Sequence, residues 1–338
     1  MIKGGNISPI YYRILSKFPP NISLCFAYGS GVKKQTGYDG VVTEQKINPN
    51  PPMIDLLFAV DNSYQWHSQN LVMNPSHYSA LQMFGSKFIA KYQESYGAKV
   101  FFNTLVPLEE KSIMIKYGVV STKDLITDLL DWKDLYLAGR LQKPVEIIRD
   151  PQSSKIQNAL ELNLESAVRS ALLLLPEQFT EFEFYCTIAQ LSYNGDFRMI
   201  FGENKNKVQN IVEPQVENFR KLYAPRVELF KSILDYSSED KCRQDKSPSV
   251  VLQHLNQLPK WPVRRIVKEW NRGKYRMDTE DVLRAVACSP VYKNMVQKSF
   301  SDIVWQSSVK QSIKNILTAG LGKSIEYSWN KALKTFNL

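Results

Sequence analysis

In the first 120 residues, short apolar runs are separated by polar stretches rich in Gly and Pro. Leu24–Tyr28 is a compact apolar run ended by Gly29-Ser30-Gly31, and it reads as a buried strand. Residues 53–60 (MIDLLFAV) read as a second buried strand with one charge inside it, Asp55. Residues 100–106 and 114–120 read as two more, joined by a loop holding Pro107, Glu109 and Glu110. Residues 11–18 read as a short helix stopped by Pro19-Pro20, and residues 33–52 as a loop. Residues 76–95 have helical spacing through Tyr78, Leu81, Phe84, Phe88, Ile89 and Tyr92.

From residue 121 to about 225 the pattern is mainly helical. Ser121 or Thr122 can cap a helix with Leu125, Ile126, Leu129 and Leu130 on its apolar side. Residues 159–175 form the clearest helical stretch, ending before Pro176. Asn194-Gly195 is a turn signal between two segments read as short extended pieces, residues 188–193 and 197–201. Helices with a small hairpin suggest a winged-helix-like module. Residues 236–250 read as an exposed linker, followed by more helices. The expected fold class is α+β, with a nucleotidyltransferase-like mixed sheet over residues 1–120. A winged-helix-like helical domain is expected over 121–235 and a basic helical region with an amphipathic tail over 236–338.

In that tail Val309, Ile313, Ile316 and Leu317 recur at helical spacing, with Lys310 and Lys314 nearby. Ile325, Trp329, Ala332, Leu333 and Phe336 repeat the spacing, while Lys331 and Lys334 project away from the stripe. A Trp- and Phe-bearing stripe backed by lysines fits a helix lying in a membrane interface. An ordinary helix docked on the domain fits the spacing as well.

Composition changes this picture at one point. Of the 338 residues 43% are apolar, 22% are charged, and the net charge is +10, so wholesale disorder is excluded. The charge is not spread evenly. Residues 241–338 hold 18 basic and 7 acidic side chains, a net of +11, whereas the rest is close to neutral. A segment that basic meets something anionic, a nucleic acid or a lipid surface. The four cysteines are scattered without metal or disulfide spacing, which points to a reducing compartment. No run of about 18 apolar residues exists. The first acidic residue is Asp39, and such an acid-free basic start fits a mitochondrial address.

The candidate chemistry lies in the neutral part. A buried strand runs into Gly29-Ser30-Gly31, where glycines let the backbone approach an anion and Ser30 adds a donor. A helix starting there would aim its amides at a phosphate. About 25 residues on, Asp55 sits amid apolar neighbours and needs a cation or a metal. A phosphate cradle beside a strand-borne Asp suits Mg²⁺-assisted nucleotidyl transfer. A tight turn beside a core Asp would show the same pattern.

The chain resembles the mitochondrial phosphatidate cytidylyltransferase family, also called translocator assembly and maintenance proteins. The resemblance runs from about residue 14 to 328. It is carried by FAYGSGV (26–32), Asp55 in MIDLLFAV, Trp66-His67-Ser68 with Asn70, and His77-Tyr78-Ser79. It continues through IKYGV (115–119), LYLAGRLQKPV (135–145), LSYNGDFRM (191–199) and DKSP (245–248). The resemblance implies an Mg²⁺-dependent enzyme that makes CDP-diacylglycerol and pyrophosphate from CTP and phosphatidic acid, for cardiolipin synthesis. It implies a peripheral protein on the matrix side of the inner mitochondrial membrane, meeting an anionic lipid surface and no nucleic acid.

Within this frame Ser30, Asp55 and Lys116 are the expected catalytic residues. Gly29, Ser30, Gly31, His67, Lys116, Arg140, Lys143, Tyr193 and Arg198 are expected to hold the nucleotide. Positions 53 and 57 are Met and Leu, so the Asp-x-Asp pair common among nucleotidyltransferases is missing. Asp196 is then the preferred second Mg²⁺ ligand, with Asp39 behind it, and water is an alternative. Arg198 could equally be an ion-pair partner of Asp196. Capping a helix start is the expected job of His77. Ile325, Trp329, Lys331, Leu333, Lys334 and Phe336 are the expected membrane contacts. Two other readings stay open: a nucleotidyltransferase acting on nucleic acid, and a non-catalytic scaffold.

Overall fold

The structure is a computed structural model that describes residues 8–36, 53–108, 113–201, 206–236, 241–273 and 275–319. It is a mixed α+β fold. Helix α1 (Pro9–Leu15) leads into β1 (Leu24–Tyr28), and β2 (Ile54–Val60) follows. Helices α2 (Ser63–Met73) and α3 (Gly85–Ser95) precede β3 (Phe101–Leu108) and β4 (Ile113–Ser121). Then come α4 (Thr122–Asp131), α5 (Leu137–Leu141) and β5 (Glu146–Arg149). The five strands form one sheet in the order β3-β4-β2-β1-β5. Only β2 and β4 run parallel, and the other neighbours are antiparallel.

All five residues of β1 are buried, because the sheet is covered on both faces. Side chains alternate between the faces at period two. On one face Phe26, Leu57, Phe102 and Val120 pack against Leu125, Leu129, Ala138 and Leu160. On the other, Ala27, Leu56, Phe58 and Tyr117 pack against Ile10, Ile14 and Trp66. Ser121 accepts a hydrogen bond from the Asp124 amide and so caps α4, as its position predicts.

The helical part begins with the long α6 (Ser154–Leu174). It continues through β6 (Gln178–Phe179), α7 (Glu181–Gln190), α8 (Arg198–Phe201), α9 (Lys207–Val212) and α10 (Val216–Val227). After β7 (Leu234–Asp235) and β8 (Cys242–Gln244) come α11 (Pro248–Asn256), α12 (Lys260–Trp270), α13 (Thr279–Ala287) and α14 (Tyr292–Ala319). The core on the α4 face runs on without a break through Leu164, Phe184, Phe219, Leu255 and Phe300. Sheet and helices therefore share one interior.

Four expectations need correction. The extended pieces read around Asn194-Gly195 are helical or turn. Residues 188–190 close α7, whose start is fixed by a Thr180–Glu183 capping box, and residues 198–201 are α8. The small sheet of this region is instead β6-β8-β7. Residues 241–250 are not an exposed linker, since Cys242 and Gln244 are buried in that sheet. There the Gln244 amide donates to the Leu172 and Pro176 carbonyls, ending α6. Residues 76–95 are not one helix. Two 3₁₀ turns, Pro75–His77 and Ala80–Phe84, precede α3. Pro107 lies within β3 rather than in a loop. The expected membrane contacts at 325–336 and the candidate Asp39 lie outside the described residues.

Candidate active site

Strand pairing sets the centre of the site. Tyr28 at the end of β1 lies opposite Asp55 on β2, and Asp55 lies opposite Lys116 on β4. Three adjacent strands thus present a phenol, a carboxylate and an ammonium in one row. The Lys116 Nζ stands 3.6 Å from Asp55 Oδ1 and 5.0 Å from the Phe102 ring centre.

The Gly29-Ser30-Gly31 turn closes over this row. Gly29 has φ +85°, and a Cβ on it would lie 3.1 Å from Asp55 Oδ2. A Cβ on Gly31 would lie 2.5 Å from the Met53 carbonyl oxygen, which is backbone and fixed. Both positions therefore require glycine, the first for conformation as well as space. The Val32 and Lys33 amides both donate back to the Gly29 carbonyl. The expected helix start is absent among the described residues of this loop; a tight turn stands there, with half-buried Ser30 at its tip.

Helix α5 brings the cationic wall. The Arg140 guanidinium lies 4.5 Å from the ring centres of both Tyr28 and Tyr136, sandwiched between them. The Lys143 ammonium donates to the Ser192 hydroxyl at 2.8 Å and to the Gly139 carbonyl, and lies 5.2 Å from the Tyr193 ring centre. Lys33 pairs with Glu146 at 2.6 Å. Tyr28, Lys33, Arg140, Lys143, Tyr193 and Arg198 line one cavity.

The field in this cavity is positive. Burial pushes the Tyr136 phenol up, but Arg140, Arg198 and Lys116 outweigh it and hold the pKa below the ordinary value. Burial, helped by the Arg140 charge, pulls Lys143 down to about 7. Three buried polar atoms at this site have no hydrogen-bond partner among the described residues: Tyr28 Oη, Arg140 Nε and Asp55 Oδ1, the last keeping only its longer ion pair with Lys116. Buried polar groups are seldom left so, and the strand pairing and ring stacking gather these three residues in one place. Such a cluster of charged and polar groups could hold an anion together with a cation.

The structure brings together Gly29, Ser30, Gly31, Asp55 and Lys116, with Arg140, Lys143, Tyr193 and Arg198 around the adjoining cavity. It does not bring in His67. That ring is fully buried in α2 among residues packed on the other side of the sheet, with Nδ1 on Tyr78 Oη and Nε2 on Gln93 Oε1, both 2.8 Å. Burial lowers its pKa to about 4, so it is neutral and committed. His77 is buried as well and bonds to Tyr117 Oη rather than capping a helix. Asp196 turns both carboxylate oxygens to the Arg198 guanidinium, the shortest contact being 2.5 Å. Asp196, the expected second metal ligand, is thus engaged in an ion pair with Arg198 in this structure. Among the described residues no group of three or more His, Cys, Asp or Glu is placed to hold a metal.

One residue that sequence reading missed shapes the site. Asp128 on α4 is buried, and its carboxylate accepts five backbone N–H bonds, from each of Asp134 through Ala138, at 2.8–3.1 Å. It thereby folds the connection that carries Tyr136 and aims α5 with Arg140. The signal was present: Asp128 falls on the same helical face as Leu125 and Leu129, where a carboxylate needs donors.

Comparison with known proteins agrees with the geometry. A family profile described as "Phosphatidate cytidylyltransferase, mitochondrial" matches residues 11–334. A Drosophila melanogaster protein of that name is 46% identical, over 97% of this chain and 98% of its own. A Danio rerio protein of the same name is 44% identical, over 97% and 95%. The Homo sapiens protein of that name is 43% identical, over 92% of this chain and 67% of its own.

Proposed function

Because the chain belongs to the mitochondrial phosphatidate cytidylyltransferase family, we propose that it makes CDP-diacylglycerol from CTP and phosphatidic acid. A phosphate oxygen of phosphatidic acid attacks the α-phosphorus of CTP. The bond from that phosphorus to the bridging oxygen of the β-phosphate breaks, and pyrophosphate leaves. The attacking phosphate is already ionised near neutral pH, so no general base is needed. Catalysis is then alignment and charge neutralisation. The observation that carries this reading is the set of buried atoms without a hydrogen bond, Tyr28 Oη, Asp55 Oδ1 and Arg140 Nε, beside a turn that only glycines permit.

Each residue has a part. Gly29, Ser30 and Gly31 cradle a phosphate of CTP. Lys116 and Arg140 set positive charge against the triphosphate, and the two tyrosine rings hold the Arg140 plane. Lys143 and Arg198 extend the cationic wall around the triphosphate and on toward the phosphate of the lipid. The donor set fits one Mg²⁺. Asp55 Oδ1 is a buried anionic oxygen with no hydrogen-bond donor, a hard ligand suited to that ion. Asp55 would hold it, water and triphosphate oxygens would complete the shell, and the ion would neutralise charge on the leaving pyrophosphate.

The protein acts in mitochondria, and we place it on the matrix side of the inner membrane, bound peripherally, where its product feeds cardiolipin synthesis. No helix among the described residues is long and apolar enough to cross a membrane. The basic final third supports an anionic lipid partner, and Arg264, Lys268, Arg272 and Arg276 line one surface groove there. The test uses the full chain with CTP, Mg²⁺ and phosphatidate-bearing vesicles. CDP-diacylglycerol detected by mass spectrometry supports the reading. Its absence, with CTP consumed only when RNA is supplied, favours the nucleic-acid alternative instead.

A further inference from the structure

Helix α14 reverses its polarity halfway along. Its inward face begins apolar, with Val296, Phe300, Ile303 and Val304 buried in the core. Beyond residue 305 the same face is polar: Ser307, Ser308, Gln311, Lys314 and Thr318 are all buried. The opposite face carries Trp305, Ile313 and Leu317, which are 45%, 59% and 53% exposed. At about 100° per residue these three fall within roughly a 120° arc, opposed to the buried polar set.

The inversion is held by specific bonds. Lys314 Nζ donates to the Gln93 and Tyr96 carbonyls at the end of α3, at 2.8 and 2.9 Å. Gln311 accepts from the Ala98 amide and donates to the Val100 carbonyl. The polar side chains thus satisfy the backbone that leads into β3, an edge strand. Rolling the helix to bury its apolar face would strip those groups of partners. The apolar face is therefore committed to the outside.

It does not stand alone. Along α3 a ladder of rings runs Phe84, Phe88, Tyr92, Tyr96, with centroids 5.0, 5.9 and 5.3 Å apart. Lys314 lies 5.5 Å from the Tyr92 centroid, which joins the ladder to α14. Met83 is 84% exposed, Phe84 66% and Tyr96 60%. Lys87, Lys91 and Lys310 are exposed on these same two helices. Exposed aromatic and aliphatic side chains with lysines interspersed fit an interfacial lipid contact. The middle of α14 points to the purpose. Val304, Ser307 and Ser308 line the Arg140–Lys143 cavity. Ser308 to Leu317 is nine residues, roughly 14 Å of helix.

We propose that Met83, Phe84, Phe88, Trp305, Ile313 and Leu317 form a membrane-docking face that seats the phosphatidate cavity beside an anionic bilayer. The inference rests on the lipid substrate proposed above. In the sequence, the stripe Ile325, Trp329 and Phe336 follows directly after this face.

The test is co-sedimentation of the full chain with vesicles of phosphatidylcholine containing phosphatidic acid. Two variants are compared, Met83→Ser/Phe84→Ser and Ile313→Ser/Leu317→Ser. Controls without vesicles are CTP binding, the mass in solution by light scattering, and turnover of short-chain soluble phosphatidate. Each variant is expected to weaken vesicle binding by about tenfold or more, with all three controls unchanged. Unchanged vesicle binding overturns the proposal, whether mass is constant or a dimer is lost; the latter assigns the face to a second copy. Stronger vesicle binding overturns it too, because it assigns the face to the chain's own tail. Failure of wild type to turn over the soluble substrate instead defeats the functional reading.

Discussion

Replacing Asp128 by Asn tests how the site is assembled, because it changes one atom type and almost no volume. The Asp128 Oδ1 accepts from the Asp134 and Leu135 amides, and Oδ2 from Tyr136, Leu137 and Ala138. An Asn amide must turn its NH₂ toward one of these groups. At least two buried N–H donors then face a donor and lose their acceptor. At about 1–3 kcal/mol for each buried donor left unsatisfied, the loss is about 2–6 kcal/mol. That is a large part of the stability of a typical protein, about 5–15 kcal/mol. The assay is urea unfolding followed by circular dichroism, with CTP affinity measured on the folded fraction. Asp128→Asn is expected to lower the unfolding midpoint sharply. It should also weaken CTP binding, because Tyr136 and Arg140 lose their anchor. A loss below about 1 kcal/mol with normal CTP affinity would refute the reasoning.

Three further outcomes follow from the same geometry. Gly31→Ala should weaken CTP binding by about tenfold or more, since a Cβ would lie 2.5 Å from a backbone oxygen; calorimetric affinity near wild type would contradict this. Arg140→Lys keeps the charge but not the plane held between Tyr28 and Tyr136, and should lose about 1 kcal/mol or more of CTP affinity, measured by the same titration. Lys143 has its pKa lowered to about 7, so in the free protein it is largely uncharged above that pH. A bound triphosphate favours the charged form, so CTP binding at pH 8 should take up a proton. Calorimetry in buffers of different ionisation enthalpy reads that uptake, and Lys143→Met should abolish it. The same lowered pKa makes stability rise with pH from about 7 toward the ordinary lysine value, because the unfolded chain there binds the extra proton.

The strands were legible because each is a short apolar run buried on both faces, and a run of that kind needs no partner information to recognise. Asp55 was legible for the converse reason, a charge where none is expected. Helix α2 was not, because its inward positions are Ser63, Trp66, His67 and Asn70, half of them able to pass for surface. They are buried in a network that joins His67, Tyr78, Asn70 and Tyr117, which no periodicity announces. The same cause hid β8, whose Gln244 is polar yet buried to end α6. In α14 the spacing of Ile313 and Leu317 was plain, but spacing alone did not say which face turns inward. That depended on Lys314 and Gln311 finding carbonyls at the end of α3 and just before β3. Buried polar side chains that serve distant backbone are the common element in what the sequence concealed.

The most direct test of the central claim is CDP-diacylglycerol formation by wild type and by Asp55→Asn, with CTP, Mg²⁺ and short-chain phosphatidate in solution. Wild type is predicted to form the product. The variant is predicted to keep its fold and to form it at least about a hundredfold more slowly. A folded Asp55→Asn protein with near-normal turnover would contradict the account, because the carboxylate at its centre would then be idle.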